Sequence, residues 1–212
     1  ANDYQITEMP SEMTLGTFCH ENGHMICDFP DLYDYGYESR GVGAYCLMCA
    51  GGHADPRNPV RIGAYLRHAA GWTTKLTSIV PGANVSLAAA KNEFGIFRKN
   101  KTQYFIIENR QRTGRDASLP DAGLAIWKVD EAGDNSNEEM TPAAHYECSL
   151  IQADGANDLE KGINDGDGGD LFAAGGKFSD TSRPNSHWWD GSVSGLKISH
   201  ITAPGPTVTF ST

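Results

Sequence analysis

Residues 16–34 read GTFCHENGHMICDFPDLYD, and this stretch decides how the whole chain is interpreted. His20 and His24 are four positions apart, so on a helix they share one face and both imidazoles can reach one ion. Glu21 follows the first histidine and points toward the same cleft. A carboxylate there can take a proton from a zinc-activated water and pass it to a leaving amine. The H-E-x-x-H spacing therefore predicts a zinc-binding helix with Glu21 as general base.

The third zinc ligand is the next question, because the pentad alone also fits a surface helix whose histidines and glutamate are solvated. A zinc peptidase needs three protein ligands and one open position. In the metzincin arrangement the third ligand lies six residues after the second histidine. Here that position holds Pro30, which cannot bind metal. Asp31, one residue later, is the candidate ligand, and Asp28 and Asp34 compete with it.

Residues 45–52, YCLMCAGG, are similar to a Met-turn, which would place Met48 beneath the metal as an apolar floor. A lone methionine is usually a core residue, so this pattern counts only together with the upstream motif. Four cysteines surround the two motifs, and we expect disulfides among them that brace the zinc helix against the turn. Four cysteines allow three pairings, and the sequence does not choose one. The four are Cys19, Cys27, Cys46 and Cys49, whereas Cys148 is expected to be buried and free.

A second motif is the acidic loop at residues 164–170, NDGDGGD. Asp165, Asp167 and Asp170 alternate with glycines that let backbone carbonyls turn inward, and Ca²⁺ takes six to eight oxygen ligands in flexible loops. No glutamate stands at the twelfth position, so a calcium site here would not be an EF-hand. Asp154, Asp158 and Asp180 are possible further ligands from flanking segments. A solvated acidic loop is the alternative.

The charge balance narrows the classes of partner. The chain has 212 residues, with 17 Lys and Arg against 27 Asp and Glu and a net charge of −10. An acidic surface argues against nucleic acid, which needs a basic stripe, and against an anionic membrane surface. No apolar run approaches the roughly 20 residues of a membrane span. No signal peptide is recognisable, although Ala1 would suit a processed terminus.

The predicted fold class is α+β. A zinc-binding helix and a second helix pack on a mostly antiparallel, β-rich C-terminal half. The first helix starts near Ser11 and ends at or before Phe29, since Pro30 follows. The second lies between Pro59 and Gly71. The predicted strands are 75–80, 85–89, 94–98, 103–108, 123–129, 146–153, 196–201 and 207–210, with a hairpin loop at 99–102.

These elements divide the chain into a zinc-binding helical part, residues 1–72, and a β-rich part with the calcium loop, residues 73–212. We expect the two parts to form one structural unit. The stretch 154–189 is rich in Asp and Gly and too long for a structureless loop inside a domain, so a bound metal ion is expected to order it.

The motifs together carry a specific resemblance. The segments GTFCHENGHM (16–25), FPDLYD (29–34), Leu47-Met48 and AGW (70–72) resemble the immune-inhibitor-A-type family of secreted zinc metallopeptidases. The likeness continues in the family's order over nearly the whole chain. The later segments are IENRQ (107–111), GLAIWKVD (123–130), QADG (152–155), GDGGDLF (166–172), FSD (178–180) and WDG (189–191).

The resemblance implies a secreted or surface endopeptidase that cuts proteins with Zn²⁺ and is stabilised by Ca²⁺. Carried over by position, His20 and His24 are zinc ligands, Asp31 is the third ligand and Glu21 is the base. The family carries a large N-terminal subdomain before the zinc helix, whereas 19 residues precede His20 here. We therefore expect a fragment or processed form, with the missing N-terminal segment of a precursor as a partner besides the protein or peptide substrate.

Two functions from different classes follow. The first is a zinc-dependent endopeptidase, or the zinc-bearing fragment of one. The alternative is a non-catalytic, calcium-stabilised module that binds a protein or glycan and keeps zinc as a structural ion or a relic. The intact Glu21 favours the first, because a structural zinc site does not need it, and the short N-terminal segment favours the second.

Overall fold

The computed structural model describes residues 14–136 and 143–212, which form an α+β fold. The helices are α1 (Leu15–Cys27), α2 (Gly52–Ala54) and α3 (Ala64–Ala69). The strands are β1 (Lys75–Ser78), β2 (Asn84–Ala88), β3 (Glu93–Arg98), β4 (Gln103–Arg110), β5 (Gly123–Asp130), β6 (Cys148–Leu150) and β7 (Thr207–Ser211). The predicted class is confirmed.

Helix α1 ends as its sequence predicts. Asp28 adopts the left-handed conformation, with φ 54°, and its N–H donates to the carbonyl oxygen of His24. The chain thus leaves the helix two residues before Pro30, whose preceding residue disfavours helical geometry. Thr14 occupies the N-cap position. The start predicted at Ser11 lies outside the described residues.

Helix α1 is attached to the rest of the fold through glycines. Gly16 and Gly23 are its buried residues, seven positions apart on one face. A Cβ atom at Gly16 would lie 2.1 Å from the carbonyl oxygen of Gly52, and one at Gly23 would lie 2.7 Å from Sδ of Met48. The absence of these side chains is what lets the helix lie directly on the segment that contains Met48.

The central sheet has the order β1-β3-β4-β5-β6, in which β1 and β3 are parallel and the other pairs antiparallel. The predicted hairpin at 99–102 joins β3 and β4. Strands β2 and β7 form a separate antiparallel pair. The strand predicted at 196–201 is wrong. Ile198 makes an isolated bridge to Phe178, and His200, at φ 52°, interrupts the extended backbone.

Side chains of the sheet alternate between two hydrophobic clusters, as the period of two requires. On β4, Tyr104 and Ile106 face the cluster that contains Met48, while Phe105 and Ile107 face the other. The first face therefore supports the segment beneath α1. The second face is covered by the β2–β7 pair and the long segment after β6, which contribute Phe172, Phe178, Trp188, Val208 and Phe210.

Hydrogen bonds within the Asp/Gly-rich stretch, to β5 and to the segment that follows it hold this stretch in place. Phe172 pairs with Leu124 of β5, and Ser179 pairs with Asn185. The Asp180 carboxylate accepts hydrogen bonds from Ser186 Oγ at 2.8 Å and from the Gly195 N–H at 2.9 Å. The Asp180 carboxylate therefore stabilises its own loop through these hydrogen bonds. Across the described residues, no helix combines the length and apolar character needed to cross a membrane.

The disulfide prediction is wrong in this structure. All five cysteines are described, and all are free thiols. The Cys49 thiol donates to the Arg40 carbonyl oxygen at 3.2 Å, and Cys46 Sγ accepts from the Gly63 N–H at 3.3 Å. Both thiols thus bond to backbone groups rather than to each other. Burial raises the pKa of Cys49 to about 12, so it stays protonated. Cys148 is buried and free, as expected.

Candidate metal centre

The histidines of α1 and the aspartate after it converge on one point. Oδ1 of Asp31 lies 2.9 Å from Nε2 of His20 and 3.1 Å from Nε2 of His24. The two Nε2 atoms are 3.1 Å apart. These three atoms therefore form a nearly equilateral triangle. The helical spacing brings the histidines together, and the longer turn past Pro30 brings in the carboxylate.

Both imidazoles are held by their other nitrogen. Nδ1 of His20 lies 2.9 Å from the Leu47 carbonyl oxygen, and Nδ1 of His24 lies 2.5 Å from that of Phe29. A carbonyl oxygen only accepts, so each Nδ1 carries the hydrogen. In the neutral imidazole this leaves the Nε2 lone pair directed into the triangle. Metal-binding histidines are oriented in this way in proteins.

The triangle fits a small tetrahedral cation. Ligand atoms of an ion with bonds of about 2.0–2.1 Å stand about 3.3–3.4 Å apart, close to the distances found here. Three acceptor atoms this close repel one another unless a proton or a cation lies among them. Burial opposes the charged form of His20, but its hydrogen bonds to Asp31 and Leu47 outweigh burial and raise its pKa. The donor set of two imidazoles and a carboxylate suits Zn²⁺.

The competing aspartates do not join the triangle. Asp28 forms the C-cap of α1. The Asp34 carboxylate accepts hydrogen bonds from the N–H groups of Gly36, Glu38 and Ser39, at 2.9, 2.8 and 3.1 Å. Its lone pairs therefore organise a turn. Among the described residues, Asp31 is the carboxylate that the structure brings to both histidines.

A further group at this site had no signal in the sequence motif. The hydroxyl of Tyr35 donates to Oδ2 of Asp31 at 2.5 Å, which leaves Oδ1 for the triangle. Hydrogen bonds from His20 and Tyr35 and the nearby His24 lower the pKa of Asp31 despite its burial, so the carboxylate stays ionised. Tyr35 and the carbonyl groups of Leu47 and Phe29 thus complete the support of the three candidate ligands.

Met48 lies below α1, where the sequence predicts an apolar floor. Its side chain is fully buried and contacts Gly23, between the two histidines. The carbonyl oxygen of the preceding residue, Leu47, orients His20. The turn at Leu47–Gly51 is irregular, with Met48 and Cys49 outside helical geometry. The chain here turns beneath the histidines and supports one of them directly.

Glu21 lies at the edge of an open cavity of about 680 Å³. Glu21 and His20 both line it, together with Tyr33. The predicted base and the face of one candidate ligand therefore border the same space, which is large enough for a ligand. A peptide entering this cavity would meet both groups.

The acidic loop assembles partly as predicted. Carboxylate oxygens of Asp167 and Asp170 come together with one from Asp154, all within 4.8 Å of one another. Two oxygens on one Ca²⁺ stand at most about 4.6–5.2 Å apart, twice the bond length, so the spacing is compatible with that ion. Asp165 does not join them. Its Oδ1 lies 3.8 Å from Nε of Arg40 instead.

Asp170 shows the electrostatic cost of this cluster. Burial, reinforced by the charges of Asp167 and Asp121, raises its pKa to about 6 against the stabilising hydrogen bonds it accepts. Those bonds come from the Asp167 N–H at 2.8 Å and the Tyr45 hydroxyl at 3.1 Å. A divalent cation would remove the repulsion that favours the protonated form. Exposed acidic groups also cluster without an ion, and Asp154 and Asp167 are exposed.

Neither a scan against protein-family models nor a search of curated proteins found a match to this chain.

Proposed function

We propose that this chain is a zinc-dependent endopeptidase, or the zinc-bearing part of one. The observation that carries the proposal is the triangle of His20 Nε2, His24 Nε2 and Asp31 Oδ1, with sides of 2.9–3.1 Å. Both imidazoles are oriented toward it by backbone carbonyl groups. Three lone pairs held this close together repel one another when no proton or cation lies among them. A metal site needs its ligand atoms held in this way.

His20, His24 and Asp31 would hold the ion, which when bound acidifies water and polarises a carbonyl group. Glu21 would do the proton transfer. Its carboxylate borders the cavity beside His20, where it can accept a proton from the attacking water and deliver it to the leaving nitrogen. The carbonyl oxygens of Leu47 and Phe29 keep His20 and His24, respectively, at their positions.

Calcium and location belong to the same proposal. Asp154, Asp167 and Asp170 are the carboxylates that would bind Ca²⁺ and relieve the repulsion around Asp170. A protein or peptide would be the substrate, and the extracellular location that the resemblance implies would supply calcium. The net charge of −10 agrees with a protein that does not bind nucleic acid.

Hydrolysis of unfolded casein by the purified chain tests the proposal. A chelator should abolish hydrolysis and added Zn²⁺ should restore it. Glu21→Gln should lower hydrolysis at least a hundredfold while one zinc per chain remains, whereas Asp31→Asn should lose the zinc. Glu93→Gln, an isosteric change on β3 away from the triangle, is the matched control and should behave as wild type.

The outcomes separate the two functions. Chain that contains one zinc but hydrolyses nothing would contradict a peptidase that is active on its own, and would leave the zinc-bearing part of one or the binding module. Chain that takes up no zinc at all would contradict the metal site itself. Hydrolysis that is unchanged in Glu21→Gln would remove Glu21 from the mechanism while leaving the ligands in place.

A further inference from the structure

Lys128 differs from the other lysines of the chain in its surroundings. It lies on β5, where Leu124 and Ile126 belong to the second hydrophobic cluster. Side chains two positions apart share a face of a sheet, so Lys128 extends over the same apolar face, in register with Phe105 of β4. The other lysines are exposed, whereas Lys128 is half-buried. An ammonium group in this position needs compensation for the water that it loses.

The charged end of Lys128 lies over the indole ring of Trp189. Its Nζ atom is 3.8 Å from the ring centroid. The same ring stacks with the imidazole of His145, at 4.8 Å between centroids. Within the part of the chain that the structure describes, no hydrogen bond or ion pair reaches Nζ. An aromatic face attracts a cation, but it does not accept the three hydrogens of an ammonium group as carboxylates do.

The carboxylates around Lys128 are bonded to other groups. Oδ2 of Asp190 lies 2.6 Å from Nζ of Lys99, and Oδ2 of Asp130 lies 2.8 Å from Nε2 of His145. Lys99 also brings a second positive charge close to Lys128. Lys128 is therefore a half-buried cation that has another cation nearby and no carboxylate bonded to it.

These surroundings favour the uncharged amine of Lys128. Burial lowers its pKa to about 8, with Asp190 opposing the change and Lys99 reinforcing it. At pH 7 about 9% of such an amine is uncharged, against about 0.04% for an ordinary lysine with a pKa of about 10.4. The uncharged amine is the nucleophile. Nζ lacks a partner and yet is not one of the fully buried atoms, so it reaches solvent.

From this geometry we propose that Lys128 is a covalent binding site for small aldehydes, with which its amine forms an imine. The amine lone pair adds to the carbonyl carbon, and one amine proton passes to the oxygen. Loss of that hydroxyl group with the second amine proton, as water, forms the C=N bond. The imine nitrogen then binds a proton from solvent, and its positive charge keeps the contact with Trp189.

Two features of the site support this chemistry. Lysines that are desolvated or lie beside another cation form imines with carbonyl compounds in proteins, and Lys128 meets both conditions. The site shares no residue with the candidate metal centre. The inference is therefore independent of the function proposed above.

Reductive labelling with acetaldehyde and cyanoborohydride tests the proposal, because hydride converts the imine into a stable secondary amine. Peptide mass spectrometry then measures the label at each lysine after a limiting dose. At pH 7 the uncharged fraction favours Lys128 about 230-fold over an ordinary lysine. Its lower basicity reduces nucleophilicity by about tenfold, if amines follow the slope of about 0.4–0.5 known for thiols. We expect Lys128 to carry at least tenfold more label than the exposed Lys177.

A change of pH and one of solvent should both remove this preference. At pH 10 an ordinary lysine amine is itself about 30% uncharged, so the ratio of label at Lys128 to label at Lys177 should fall below one. In chain unfolded by guanidinium chloride, the two lysines lie in similar surroundings and should be labelled alike.

Lys99→Gln tests the role of the neighbouring charges. It removes the second cation and frees Asp190 to pair with Lys128, which favours the ammonium form. The label at Lys128 at pH 7 should fall at least threefold. Lys101→Gln, at an exposed position of the same hairpin loop, is the matched control and should be labelled as wild type.

Three results would overturn the inference. The first is folded wild type that carries no more label at Lys128 than at Lys177 at pH 7. The second is a preference that persists in unfolded chain, since it would come from the local sequence and not from the fold. The third is an unchanged label at Lys128 in Lys99→Gln. None of these measurements requires zinc, so the peptidase proposal is tested separately.

Discussion

The attachment of α1 through two glycines makes a quantitative prediction, since both face the segment around Met48 but meet different atoms. A Cβ at Gly16 would lie 2.1 Å from a backbone oxygen of Gly52, and one at Gly23 would lie 2.7 Å from the Met48 sulfur. Ordinary contact begins at 3.4 Å, so the shifts needed are 3.4 − 2.1 = 1.3 Å and 3.4 − 2.7 = 0.7 Å. The backbone at Gly52 must move to accommodate a Cβ at Gly16, whereas the flexible thioether of Met48 can move to accommodate one at Gly23.

Gly→Ala in a helix interior is otherwise favourable by about 1 kcal/mol. Overpacking a well-filled site costs about 1–3 kcal/mol. For Gly16→Ala we take the upper end of the overpacking range, about 3 kcal/mol, and subtract the gain of about 1 kcal/mol from alanine in a helix. We therefore expect the free energy of unfolding to fall by about 2 kcal/mol. For Gly23→Ala, where the Met48 side chain can adjust, the two effects of about 1 kcal/mol nearly cancel. Gly23→Ala should nevertheless weaken zinc binding, because the added methyl group displaces the floor between His20 and His24.

Urea unfolding followed by circular dichroism measures both changes, and competition with a chromophoric chelator measures zinc affinity. Thr17→Ala, at an exposed position of the same helix, is the control and should change stability by less than about 0.5 kcal/mol. If Gly16→Ala were as stable as wild type, α1 would not lie against Gly52 as described. Equal destabilisation by both alanines would refute the distinction between backbone and side-chain contact.

Further changes test the support of the two candidate cation sites and the buried ion pair between Arg110 and Asp116. Tyr35→Phe removes the hydrogen bond to Asp31 and should weaken zinc binding about tenfold in the chelator competition, with unchanged affinity speaking against a supporting role. In metal-free protein, the pKa of Asp170 is raised from 3.8 to about 6. Protonation of Asp170 therefore stabilises the folded state below pH 4. This contribution to the free energy of unfolding, up to about 3 kcal/mol, is lost as the pH rises through 6. Thermal unfolding should show that loss, and both calcium and Asp170→Asn should remove it; a pH profile that calcium leaves unaltered would contradict the site. Arg110→Met removes the fully buried one of the two arginines that pair with Asp116, which keeps Arg61. The loss in urea unfolding should therefore lie between about 1 kcal/mol and the about 3–5 kcal/mol of a buried charge left without any partner. A loss below about 1 kcal/mol would be incompatible with a stabilising role of the ion pair.

The parts of the fold that depend on local pattern were predictable from sequence. Pro30 predicted the end of α1, the alternating apolar residues predicted the central strands, and the turn residues predicted the hairpin at 99–102. Partner choice was not predictable. The parallel pairing of β1 with β3 and the pairing of β2 with β7 join segments through contacts between distant residues, which local propensity does not encode.

At the site, the types of the functional residues were easier to predict than the partners that their side chains contact in the fold. The helical period places His20 beside His24, but only the three-dimensional turn shows that Asp31 reaches both. Spacing suggested disulfides, yet the Cys46 and Cys49 sulfur atoms bond to backbone groups. Spacing likewise suggested Asp165 for calcium, whereas in the structure its carboxylate lies near Arg40.

The pairing of β2 with β7 has a consequence for how the protein is made. Asn84 pairs with Ser211, so the two strands are separated by 211 − 84 = 127 positions. A ribosome delivers β2 long before its partner, and the cluster that includes Phe210 cannot close until residue 211 has emerged. Val85 and Leu87, buried in the finished fold, stay uncovered during that interval. The nascent chain therefore exposes the apolar side chains of β2 for most of its synthesis. Chaperones that bind exposed apolar segments would protect it from aggregation during that time.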